Sequence, residues 1–153
     1  MTSLEHLLIL FRYNDWANRR VVAAVRDSEC PEAVRLLAHL LVTEKEYHDR
    51  MFGKDSTGFD FWPDATPDGL SALAMKNAED YERLLSRFDD EGLGQRVDYK
   101  TSKGKPVHNT FREILTQVLL HSTSHRAQAL RELRLAGFEP PSIDYIFYSR
   151  GLQ

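Results

Sequence analysis

Apolar positions recur along this chain mostly at spacings of three and four, the period of a helix with one buried face. Leu4, Leu7, Leu8, Phe11, Val21, Val22 and Val25 form the first such stripe. Thr2 and Glu5 precede it at capping-box spacing, so a helix is expected from there to about Asp27. "SECPE" breaks the stripe, and Pro31 suits the first turn of a new helix. "EAVRLLAHLLVTEKEYHDRMF" supplies that second helix, ending near Gly53. The next stretch, "GKDSTGFDFWPDATPDG", is rich in Gly, Asp, Pro and aromatic residues and reads as a long loop. It is either a wall of a site or a plug of Phe59, Phe61 and Trp62 over the end of a core. "LSALAMKNAEDYERLLSRF" predicts a third helix. Val97 and Tyr99 then alternate with polar residues before "SKGK", which predicts a short hairpin. Thr110 and Glu113 open a fourth helix to about Ala136, where Gly137 caps it and Pro140 and Pro141 forbid continuation. The tail "SIDYIFYSR" is expected as a short helix or an extended docking segment. Four helices and a minor β-hairpin predict an all-α fold, a four-helix bundle in one domain spanning 1–153.

Composition narrows the function. The chain has 153 residues, 28% of them charged, with a net charge of −3 and no basic block. Nucleic-acid binding needs clustered Lys and Arg to neutralise phosphates, so none is expected. No apolar run reaches membrane-spanning length, and "MTSLEHLLILF" lacks the features of a signal peptide. A cytoplasmic location is expected. Cys30 is the single cysteine, which excludes an internal disulfide or a cysteine-built zinc site. Beside Pro31 it reads as a small boundary residue.

The candidate chemistry lies in six histidines: His6, His39, His48, His108, His121 and His125. His121 and His125 stand four apart in "HSTSHRAQ", which puts their rings about 40° apart on one helix face. Two such imidazoles can converge on one ion, with a third ligand from another helix. Spacing alone does not separate a metal pair from two polar residues at the edge of an apolar face. For the third ligand, periodicity slightly favours His48, nearer the centre of the second helix's apolar arc, over His39 on its flank. His6 and His108 read as solvated or capping residues. Ser122 and Ser124 flank the pair but point elsewhere, and Glu44 and Glu46 could act as acid or base groups. Arg126 lies roughly 140° from His121 on the helical wheel. It is expected in outer packing, a dimer contact or the binding of an anion.

Three stretches, "YNDWANRR", "LLAHLLVTEKEYHDRM" and "EILTQVLLHSTSHRAQALRELRLAGFEPPSIDYIFY", resemble the DinB/YfiT-like family over nearly the whole chain. That resemblance implies an up-down-down-up four-helix bundle, often a homodimer. It implies a divalent metal (Zn, Ni or Fe) held by His39, His121 and His125, selecting His39 over the His48 that periodicity prefers. It implies an activity among thiol-dependent S-transferases, whose cosubstrates are low-molecular-weight thiols such as bacillithiol, mycothiol or glutathione. The acting group would then be a metal-bound water or thiolate, and the partner a small-molecule substrate. Glu44, Gln128 and Asp144 are candidates to orient the ligating rings from behind. The alternatives are a metal-dependent hydrolase and a non-catalytic, metal-stabilised dimer that binds a ligand or partner. The family's "damage-inducible" label describes expression of some members and implies no contact with DNA.

Overall fold

The computed structural model describes residues 1–151 and is mostly helical, with one small antiparallel sheet. The helices are α1 (Ser3–Ser28), α2 (Pro31–Met51), α3 (Pro67–Leu85), α4 (Phe111–Leu135) and a short α5 (Tyr145–Ser149). Strands β1 (Arg96–Lys100) and β2 (Pro106–Thr110) form the hairpin, with Val97 opposite Asn109.

Local chemistry accounts for the boundaries. Thr2 Oγ1 accepts from Glu5 N while Glu5 Oε2 accepts from Thr2 N, and Thr110 and Glu113 repeat that reciprocal cap on α4. Thr66 caps α3 through Gly69 N, with Pro67 in the first turn. Glu29 ends α1 in the left-handed region (φ 52°), unusual for a residue with a Cβ. Gly137 takes φ 89° just after α4. The tail resolves into α5, anchored where Tyr13 Oη donates to the Ile143 carbonyl at 2.8 Å and packs against Tyr145 and Tyr148.

α1 and α2 each pack against both α3 and α4. The buried apolar residues fall into two groups. One gathers Val21, Val25, Leu37, Leu41, Leu70 and Leu133; the other gathers Leu7, Phe11, Tyr81, Leu85, Ile114 and Leu115. Between them each of the four long helices contributes buried polar residues: Asn14 and Asn18, Glu44, Asn77, and Ser122 with Arg126. Glu44 Oε1 accepts from Asn14, Asn18 and Ser122 at 2.7–3.0 Å, and its Oε2 from Asn77 at 3.2 Å. Arg126 donates to Asn14 Oδ1 and, at 2.8 Å, to Asn18 Oδ1. Two asparagine amides thus bridge a buried carboxylate to a buried guanidinium, each amide using both its donor and its acceptor.

Arg126 therefore corrects the expectation of an outward residue, being only 1% exposed. The direction away from the histidines faces α1, because α4 is covered on that side as well as along α2. No described helix is long and apolar enough to cross a membrane.

Candidate metal centre

His39 on α2 and His121 and His125 on α4 meet in the seam between the two helices. Each offers a ring nitrogen, and the three nitrogens lie within 4.8 Å of one another. His39 is buried; the other two are half-buried. His39 Nε2 and His121 Nε2 face each other at 3.1 Å. Two imidazoles on a tetrahedral zinc would hold their nitrogens about 3.3 Å apart.

The remaining ring nitrogens set the tautomers. His39 Nδ1 donates to the Phe61 carbonyl at 2.7 Å, so its Nε2 carries the lone pair that points inward. His125 Nδ1 donates to Gln128 Oε1 at 2.9 Å, which leaves its Nε2 free in the same way. His121 Nδ1 is buried without a hydrogen-bond partner. Burial, and then the neighbouring His125 and His39, pushes the His121 pKa down to about 4. Burial also lowers that of His39, against the pull of the Phe61 carbonyl. Both rings are neutral at neutral pH, the state in which imidazole binds a metal. Neutral nitrogen donors converging on one point, two with lone pairs fixed toward it, are a donor set that fits a divalent cation of the zinc or nickel type.

The long loop forms one wall. The Trp62 ring stacks on His39 with centroids 3.7 Å apart and planes 3° from parallel. Asp60 Oδ1 accepts from Trp62 N, a local turn that sets the ring's direction. Farther back, Ser56 donates to Glu46 Oε1 and Lys54 to Glu46 Oε2, both at 2.7 Å, so the loop is tied to α2. Arg50 donates to Ser56 and lies over the rings of Tyr47, Phe61 and Tyr99. Glu46, considered as an acid or base, is thus a fully buried anchor of this loop. The loop's aromatic residues are not merely a plug: Phe61 and Trp62 contact His39 directly. "FDFWP" in a long loop was the sequence signal for them, but it did not say which histidine they would meet.

The other sequence candidates lie elsewhere. His48 sits beside Asp49 and against Phe52 and Tyr81, outside the cluster. Periodicity preferred it because α2 packs on two neighbours, and its apolar arc averages the directions of α3 and α4. His6 and His108 are exposed. Among the expected orienting residues, Gln128 reaches His125. Glu44 instead spends its carboxylate on the asparagines and Ser122 of the core. Asp144 is an exposed residue at the start of α5, and its side chain makes no capping bond. Ser122 donates to Glu44 at 2.7 Å, so it does not form a serine–histidine pair. Asn14 and Asn18 were missed as a pair, although they stand four apart on the otherwise apolar stripe of α1.

Sequence comparison matches nearly the whole chain to one family. A model described as the DinB family matches residues 3–152. A relative from Bacillus subtilis (strain 168), named Protein DinB, is 22% identical over 156 residues, covering 91% of each chain. No solved structure matches.

Proposed function

The chain belongs to the DinB family, and from that premise we propose a divalent-metal-dependent enzyme centred on His39, His121 and His125, acting as a thiol-dependent S-transferase. The observation that carries the metal reading is the convergence of three ring nitrogens within 4.8 Å from two helices. When bound, the metal would supply Lewis acidity at a coordination position that three protein ligands leave open. The chain's own groups do the rest. The Phe61 carbonyl and Gln128 hold two of the rings in orientation. Trp62 shields His39 on one face. Cys30 is buried in the apolar core, so the thiol arrives as a cosubstrate. In the transfer the S–H bond breaks, a C–S bond forms, and the leaving group departs from the electrophile with its electron pair while the proton passes to solvent.

The packing of α1 and α2 on α3 and α4 supports an up-down-down-up four-helix bundle in one domain. The reading extends to a cytoplasmic homodimer.

The test is metal analysis of purified protein after exposure to Zn²⁺, Ni²⁺ or Fe²⁺. One equivalent in the wild type and none in His121→Ala is expected; a wild type that takes up none of them overturns the centre. Loaded protein is then assayed with bacillithiol, mycothiol or glutathione and monochlorobimane. Conjugation supports transfer. Thiol-independent ester or amide cleavage would reassign the site as a hydrolase, and the absence of both activities would leave a binding role.

A further inference from the structure

Two cavities are lined by residues that contact the histidines, and Glu32 and Arg35 line both. One, of about 640 Å³, lies against Trp62, the ring stacked on His39. The other, of about 300 Å³, passes Gln128, the partner of His125. Each cavity thus reaches the histidines through one intervening side chain.

The Arg35 guanidinium lies over the Trp62 ring, 4.5 Å from its centroid. A guanidinium resting on an aromatic face keeps its in-plane N–H groups free to grip a carboxylate with two parallel bonds. Among the described residues no carboxylate lies within ion-pair distance of it, whereas the other arginines of these walls are engaged. Arg26 pairs with Asp68 at 2.8 Å and Arg131 with Glu132 at 3.3 Å. Glu32 stands three residues before Arg35, so the two exposed side chains are neighbours on one face of α2. It too has no cation within ion-pair distance among the described residues.

A simple anion would meet Arg35 but also the carboxylate of Glu32. A simple cation would meet the reverse. A ligand carrying both charges on adjacent atoms satisfies both side chains together. We propose that Glu32 and Arg35 form a binding site for the ammonium and carboxylate of an α-amino-acid group on the small-molecule substrate or cosubstrate. The rest of that molecule lies along Trp62 toward the histidines. The proposal deepens the metal-centre reading and rests on it for what happens at the ligand's far end.

Norvaline, N-acetylnorvaline and butylamine carry, respectively, both charges, the carboxylate alone and the ammonium alone. They are titrated into metal-free and zinc-loaded protein by NMR, with the Trp62 indole N–H and the Arg35 Nε–H as reporters. In both forms norvaline is expected to bind at least about tenfold tighter than either analogue, the scale of one lost charged hydrogen bond. Arg35→Met and Glu32→Gln should each remove that advantage, and His121→Ala should leave it intact. Equal binding of the three probes, no response at Arg35, or no binding at all overturns the site. Norvaline binding that needs zinc and disappears in His121→Ala is chelation at the metal and also overturns it. Failure of zinc uptake counts against the metal centre alone, because the metal-free titration still reads the cleft.

Discussion

His121 shows how one side chain's surroundings become a pH dependence. Its folded-state pKa is depressed to about 4 from an ordinary 6.5, first by burial and then by two neighbouring imidazoles. As pH falls through 6.5 the unfolded chain takes up a proton there that the folded chain still refuses. Folding stability of the metal-free protein is therefore complete above about pH 6.5 and declines toward pH 4. Urea unfolding midpoints of EDTA-treated protein across that window should fall with pH, and His121→Gln should flatten the fall. An unchanged slope in the variant would assign the effect to other groups. The pairing of His121 with His125 was legible from their spacing. The burial that gives His121 this property was not, because it depends on α2 lying across that face of α4.

The loop between α2 and α3 belongs to the site because of contacts made far behind it. Glu46 is fully buried and holds both Ser56 and Lys54, so the segment leading to Phe61 and Trp62 is tied to the helix that carries His39. Ser56→Ala removes one donor from a buried carboxylate, at a cost of about 1–3 kcal/mol. Guanidinium or urea denaturation should show that loss. Metal affinity should fall with it, since the Phe61 carbonyl would no longer be held against His39. A variant that loses stability but keeps full affinity would show that the loop's tip is positioned independently of its base. The sequence marked this stretch as long and aromatic. It could not show that a buried acid seven residues beyond His39 anchors it.

At the scale of the whole molecule, the polar layer between the two apolar groups buries a carboxylate and a guanidinium together. Glu44 and Arg126 are 2% and 1% exposed, and their desolvation is offset only while the bridging asparagines are in place. Glu44→Gln leaves Arg126 buried without a counter-charge and should destabilise the protein by about 3–5 kcal/mol. The double replacement Glu44→Met with Arg126→Met should recover part of that loss. Equilibrium denaturation of the two single Met variants and the double completes the cycle, and additive losses would mean that the two charges do not interact. Because the layer joins α1, α2, α3 and α4 at the level of Ser122, it also fixes how α4 is turned, and hence where His121 and His125 point.

Helix spans, caps, the hairpin and the histidine pair follow from the sequence alone, since each rests on interactions among residues a few positions apart. The choice of His39 over His48, the inward direction of Arg126 and the stacking of Trp62 were decided by tertiary structure. Each depends on which of two neighbours a helix face meets, and an apolar arc read along one helix adds those neighbours together. The resemblance to a family pointed to His39, but the physical reason is that its turn of α2 lies in the seam with α4, under the loop and opposite the pair.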